Sequence, residues 1–350
     1  MNYTGLYSPF SLNRPLSEED IKYQLRQDFS GMGKSDSLAL ADDAVIKMNS
    51  TYLELVDKYY NDRGMPEIFT FILSSMFISA AFLCIYFSIV ELVKPVGSVF
   101  GFFAYLFMSI PSGAFGFFCY RLLRKSWFTW THYPVRFNRK TQMVHVFKLD
   151  GSILSVPWQE VFFTRGRAGR GPMPECSIDG YILAEDKQTV LDTFSLGFST
   201  ERRELVKNWA FIYSYMNVDC LEELKDIIAL CPPIAEKKES YLFGLQYMMR
   251  VDSRLEWFFT LTLLPLTLLG SVARYIAMRT SKIPSWSAEV EADCQFDPND
   301  PINVSAANNP KHLWRYVLAN QSLEEYNALY QRQEQAMNRL REKVQAQKNS

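Results

Sequence analysis

Histidine is scarce in this chain, and the familiar catalytic signatures are missing. Only His132, His145 and His312 occur in 350 residues, too dispersed for a metal set or a base pair to be read from spacing. No H-E-x-x-H, G-x-x-x-x-G-K-[ST] or G-x-S-x-G motif is present, which removes the zinc-helix, phosphate-loop and nucleophile-elbow chemistries. Gly166-Arg167-Ala168-Gly169-Arg170-Gly171 is rich in glycine. It neither leads into a predicted helix nor has the G-x-G-x-x-G order, so it does not read as a phosphate cradle. The six cysteines form no C-x-x-C pair. Reduced thiols are expected, not a disulfide framework or a zinc site. A formal net charge of −1 argues against a nucleic-acid partner bound through counterion release. The opening segment MNYTGLYSPF lacks a basic region followed by an apolar core, so no cleavable signal is expected there. The sum of these absences predicts a non-enzyme with no catalytic residue, cofactor or metal.

Long apolar runs are what the chain does have. Ile68 to Val93 and Val96 to Leu123 lie almost back to back, separated by Lys94 and Pro95. About 20 helical residues cross a bilayer's hydrocarbon core, and neither run has the polar face a soluble helix needs. Residues 67–125 are therefore predicted to form a transmembrane helical hairpin, which makes a lipid bilayer the first expected partner. Arg121, Arg124 and Lys125 follow the second run, with Arg136, Arg139 and Lys140 soon after. Lys and Arg concentrate on the cytoplasmic side of short loops, so both ends of the hairpin are expected to face the cytoplasm. Trp127, Trp130, Tyr120 and Tyr133 suit the headgroup interface.

The rest divides by pattern. Residues 1–66 read as an irregular arm over 1–34 and an amphipathic helix from Asp36 to about Tyr60. Leu38, Ala41, Val45, Met48, Tyr52, Leu55 and Tyr59 recur there at three- and four-residue steps. From His132 the period becomes alternating. Strands are expected at Val135–Arg139, Met143–Phe147, Val156–Phe163, Tyr181–Ala184 and Val190–Leu196, with a tight turn at Asp150-Gly151. A helix opening at Thr200 carries Val206, Trp209, Ala210, Ile212, Tyr213 and Met216 on one face. Its best compact use is to cap a strongly bent antiparallel sheet, with Trp158 as a core anchor. The expected fold class is thus an α+β membrane protein: transmembrane hairpin, bent antiparallel sheet with capping helix, and additional helices.

Helical segments are expected over 218–256, and Pro232-Pro233 should stop the first of them. Residues 257–279 form a third membrane-associated segment, in which Trp257 to Ala273 is apolar but split by Pro265. A kinked span and a re-entrant or interfacial segment fit it about equally. Residues 283–350 read as a loop and a last helix capped at Ser322. Leu323, Tyr326, Tyr330, Met337, Leu340 and Val344 make a seam for the N-terminal helix or for self-association. Glu289, Glu291, Asp293, Asp297 and Asp300 are expected to form a solvated acidic loop.

Arg165, Arg167 and Arg170 are the candidate partner-binding residues, on a loop from Arg165 to Gly171. Near a membrane each would add about 1 kcal/mol against anionic headgroups. They suit a partner's carboxylates equally well, and a merely solvated loop is the alternative.

The element order over roughly residues 132–217, with the segment VRFNRKTQMVHVFKLDGSILSVPWQEV, resembles the pleckstrin-homology-like domains that bacterial membrane proteins attach behind a helical hairpin. Two segments, YPVRFNRKTQMVHVF…VPWQEV and RYIAMRTSKIPSWSAEVEADCQFDPNDP, resemble an uncharacterised family of bacterial inner-membrane proteins often encoded beside type VI secretion effectors. That resemblance covers about residues 60 to 301. It implies an inner-membrane immunity or accessory protein, with its main soluble domain cytoplasmic and a cognate protein toxin as partner. The other reading is a membrane scaffold or a lipid- or envelope-sensing protein built from the same parts.

Overall fold

A computed structural model describes residues 4–28, 44–168, 175–199, 202–252, 257–309 and 323–349. The chain folds into two units. One gathers Met1–Asn61, Thr131–Glu239 and Ile283–Ser350; the other is Asp62–Trp130 with Ser240–Lys282. The boundary expected at 132–217 therefore falls inside a larger, discontinuous body.

The first unit is built on two antiparallel sheets rather than the single bent sheet expected. Strands β2 (Val45–Met48), β3 (Tyr52–Leu55), β4 (Val135–Asn138), β5 (Met143–Phe147) and β6 (Ile153–Pro157) form one, in sequence order. The second has the order β1 (Arg14–Pro15), β9 (Thr189–Ser199), β8 (Glu175–Leu183), β7 (Val161–Ala168). The strand expected through Val156–Phe163 is cut in two, because a 3-10 turn at Trp158–Glu160 carries the chain from one sheet to the other.

Strands β2 and β3 correct the helix expected from Asp36 to Tyr60; residues 36–43 of that helix lie outside the described residues. Asn49 turns the chain, its Oδ1 accepting from the N–H groups of Thr51 and Tyr52 at 2.9 and 2.8 Å. Such a local side-chain bond favours a turn over a helix. Both faces of this hairpin are covered, so the alternation that marks a half-buried strand is erased. The spacing of Val45, Met48, Tyr52 and Leu55 then mimics a helical stripe.

The apolar face of the five-stranded sheet carries Leu53, Leu55, Val135, Phe137, Val144 and Val146 into the core. Helix α4 (Arg202–Asn217) closes that core with Trp209, Phe211, Ile212 and Met216. The N-terminal arm is more regular than expected. It contributes β1 and a short helix, α1 (Glu18–Lys22), begun by a capping box between Ser17 and Asp20. Helix α5 (Leu221–Ile227) follows, and α9 (Leu323–Asn349) packs on it. Ala336 and Leu340 are buried in the core, with Met337 and Val344 against it. Lys343 and Arg339 pair with Glu223, and Arg339 also pairs with Asp226. The partner of the C-terminal seam within the chain is thus α5, not an N-terminal helix.

The second unit holds the long apolar helices α2 (Met65–Val93) and α3 (Val99–Arg124), both long and apolar enough to cross a membrane. Phe69, Phe82, Leu92, Phe100, Phe107 and Ile110 are exposed along them. Buried residues recur at seven-residue steps, Glu67, Ser74, Ala81 and Ser88 on α2 and Ser109, Gly116 and Leu123 on α3, with Cys119 also buried between the last two. A seven-residue period keeps one seam facing a neighbouring helix, and small residues on it let the backbones approach. Ser74 Oγ donates to Gly116 O, and Ser88 Oγ to Phe102 O, each at 3.1 Å. At the base of the hairpin, buried Glu67 accepts from the Gly64 N–H and the Ser126 hydroxyl. Helix α6 (Tyr241–Asp252) packs on α7 (Trp257–Thr280), which runs unbroken through Pro265. From α7 the fully buried Arg274 donates to Arg63 O at 3.1 Å.

Candidate functional site: a charged row beneath an aromatic-walled cleft

Cross-strand register places one polar residue from every strand of the five-stranded sheet in a single row. Lys47 pairs with Glu54, Glu54 with Arg136, Arg136 with His145, and His145 with Ser155. Residues directly opposite each other share a face, so the row lies on the face away from the apolar core. The segment after residue 283 covers it. There Trp286, Val290, Cys294 and Phe296 pack around Tyr52, and α8 (Ala288–Asp293) brings Glu291 and Asp293 over the strands.

Arg136 is the centre of this arrangement. Its guanidinium is buried, with Nε donating to Glu54 at 3.1 Å and Nη1 to Glu291 at 3.0 Å. It also lies 4.7 Å from the Tyr52 ring centroid and 4.8 Å from that of Trp286. Burial is the largest single influence and acts against its charge, but Glu54, Tyr52 and Glu291 together outweigh it and raise the pKa above the ordinary value. Glu54 is shared, since its other oxygen accepts from Trp286 Nε1 at 2.9 Å. Burial and the surrounding carboxylates push the Tyr52 phenol well up, against a smaller opposing effect of Arg136. Tyr52 therefore stays a neutral wall.

Beside the row opens a cavity of about 710 Å³, lined among others by Lys47, Tyr52, Glu54, Arg136, Trp286 and Phe296. Lys47 Nζ lies 4.1 Å from the Phe296 ring centroid and 6.0 Å from that of Tyr52. Burial lowers its pKa, partly offset by Glu236 and Glu54.

A second cluster, of His145, Asp293 and Cys294, holds its potential ligand atoms within 4.8 Å of one another. Metal ligation requires a thiolate and free lone pairs. Asp293 Oδ2 already accepts from Asn138 Nδ2 at 2.9 Å and from the Thr141 hydroxyl at 3.0 Å, and it meets His145 Nε2 at 3.0 Å. Burial pushes the Cys294 thiol up to about 11 and lowers the His145 pKa despite the Asp293 hydrogen bond. The cluster acts as a clasp that fastens α8 to the sheet.

The arginines proposed from sequence lie elsewhere. Arg165 and Arg167 belong to β7, not to a loop. Arg165 is half-buried, with its guanidinium 3.9 Å from the Tyr23 ring centroid, so its cation–π contact holds the N-terminal arm. The Arg167 side chain and Arg170 lie outside the described residues. The acidic loop is also corrected: Glu289, Glu291 and Asp293 sit on α8, Glu291 and Asp293 are bonded to the sheet, and Asp300 Oδ2 accepts from the Ser50 N–H at 2.6 Å. Arg139, counted among the basic residues after the hairpin, donates instead to the carbonyls of Tyr215 and Val218.

Sequence reasoning misses Lys47 and Glu54 because the apolar spacing around them predicts a helix. Trp286 and Phe296 sit in a segment without periodicity. The alternation V-R-F-N followed by M-V-H-V-F was the available signal for Arg136 and His145.

No curated protein and no solved structure matches the chain. Residues 114–298, which include β4 to β9, α4 to α8 and most of the charged row, match DUF6708, a family of unknown function. That match spans more than half of the chain, which therefore belongs to the DUF6708 family.

Proposed function

We propose that this chain is a membrane-anchored immunity protein that neutralises a type VI secretion effector by occlusion. One contrast carries the reading: α2 and α3 are apolar and exposed along their length, whereas the sheet unit opens a cleft walled by charges and rings. Apolar helices of this length suit insertion into a bilayer. Arginine and large aromatic side chains are enriched where proteins recognise proteins. In this reading the hairpin spans the bacterial inner membrane, and the sheet unit lies in the cytoplasm. Arg121, Arg124 and Lys125 support that orientation; Arg136 and Arg139 do not, because they serve the interior of the sheet unit. Two sheets closed by α4 also favour the pleckstrin-homology-like comparison. Arg165, Arg167 and Arg170, the basic residues singled out from the sequence, form the second contact region of this proposal.

Co-production of the toxin encoded next to the gene tests the reading. Survival with the wild-type chain, and death when Arg167 and Arg170 are changed to Glu, is the expected result. Facing charges of the same sign cost several kcal/mol across an interface. Lack of protection by the wild type overturns the immunity reading in favour of the membrane scaffold. Reporter fusions at Lys94 and Asp150 test the orientation, and periplasmic activity at Asp150 overturns it.

A further inference from the structure

We propose that the cleft binds a carboxylate carried on an apolar or aromatic body, with Lys47 as the cation that receives it. Lys47 enters the cavity from β2 half-buried, and it makes no ion pair among the described residues. Its near neighbours are rings, those of Phe296 at 4.1 Å and Tyr52 at 6.0 Å. A ring face attracts an ammonium but leaves its N–H donors unused. The nearby carboxylates are committed. Glu54 holds Arg136 and the Trp286 indole N–H, and Glu291 holds Arg136. Glu236 stands exposed to water. Among the described residues, Lys47 is therefore the half-buried charge of the cavity that makes no ion pair.

The chemistry of the walls narrows the ligand further. Lys47, Arg136 and Lys237 are balanced in number by Glu54, Glu236 and Glu291 around the cavity. An evenly balanced wall favours a single negative charge over a polyphosphate, whose several charges would meet those acids. Phe296, Tyr52 and Trp286, with Pro232 and Pro284, supply an apolar lining. Pockets of about 300–1,000 Å³ accept drug-sized ligands through such apolar walls and a few fixed polar groups, and about 710 Å³ lies in that range. A free aryl acid and an acidic side chain within a peptide offer the same chemistry. The proposal does not depend on the toxin reading, because it is measured on the isolated protein.

The test titrates the full chain in detergent micelles by calorimetry. The free-acid arm compares 3-phenylpropionate with 3-phenylpropanamide, and the peptide arm Ac-Phe-Glu-Phe-NH2 with Ac-Phe-Gln-Phe-NH2. In at least one arm the acid is expected to bind about tenfold more tightly than its neutral counterpart, as a charge-assisted contact does. The arm with the larger preference identifies the source of the carboxylate. Lys47→Met should abolish the preference and Lys47→Arg should keep it. Equal binding of acid and neutral probe in both arms, or no binding in either, overturns the proposal on the wild-type chain alone. A preference that survives in a folded Lys47→Met chain overturns the role of Lys47.

Discussion

Trp158 and Trp209 stack with ring centroids 5.7 Å apart and planes 21° apart, and both are fully buried. Trp158 stands where the chain leaves one sheet for the other, and Trp209 belongs to the helix that closes the core. The pair therefore ties the crossing point to the cap. Trp209→Ala should destabilise the sheet unit by roughly 3–5 kcal/mol, the usual cost of truncating a large aromatic in a core. Urea unfolding of the intact chain, followed through this unit, measures it. An unchanged midpoint would show that α4 does not close the core.

Arg136 and Glu54 form a buried ion pair, with side chains 8% and 5% exposed. Removing one member of such a pair strands the other, at a cost of about 3–5 kcal/mol. Glu54→Leu should lose that much stability. The double change Glu54→Leu with Arg136→Met should recover most of it, since two apolar side chains replace two charges. Additive losses in the double-mutant cycle would rule out a direct coupling.

His145 gives the sheet unit a dependence on pH. Burial lowers its folded-state pKa below the ordinary 6.5; Asp293 opposes the shift, and Arg136 adds to it. In the range between the two values the unfolded chain binds more protons than the folded one, so stability rises with pH there. The His145 contribution is fully present above about 6.5 and is lost as pH falls from there to the folded value. Melting midpoints taken from pH 7.5 to 5 should drop more steeply for the wild type than for His145→Asn. Parallel profiles would remove His145 as the cause.

Two glycines of α3 should respond differently to alanine. A Cβ at Gly116 would lie 2.8 Å from Ile78 Cγ1 and 2.9 Å from the Ile78 backbone nitrogen, whereas one at Gly113 would lie 3.6 Å from Ala81 Cβ. Gly116→Ala should force the helices apart, with a loss of about 1–3 kcal/mol typical of overpacking. Gly113→Ala should be neutral or mildly stabilising, because alanine is the better helix former by about 0.5–1 kcal/mol. Unfolding of the detergent-solubilised chain separates the two, and equal responses would refute the packing seam.

The hairpin, most of the strands after His132 and helix α4 were legible because each follows one strong local pattern. Hydrophobic length marks α2 and α3, and alternation marks β4 and β5. What escaped was whatever depends on partners distant in sequence. Residues 45–55 look helical because both faces of their hairpin are covered, by the core on one side and by Trp286 and Phe296 on the other. Glu291 and Asp293 look like solvated acids until the sheet presents Arg136, His145 and Asn138 to them. The candidate site was illegible for the same reason, since its row is assembled from five strands and becomes visible only with the register known.

Strand β3 pairs with β4 across the whole apolar hairpin, and Met48 exchanges backbone hydrogen bonds with Val304 at 2.9 and 2.7 Å. These pairings fix a sequence of events during synthesis. Contacts between distant residues form only after the chain between them is made, and a chain emerges from its N-terminus at about 5–20 residues per second. Once β2 and β3 have paired with each other, that hairpin must wait through α2 and α3 for its next strand, β4, and until residue 304 for its last partner. The edge of β2 stays open throughout, and an open edge invites pairing with another chain. The nascent protein is thus most vulnerable to misassembly between the appearance of β2 and that of Val304, long after its apolar helices have left the ribosome.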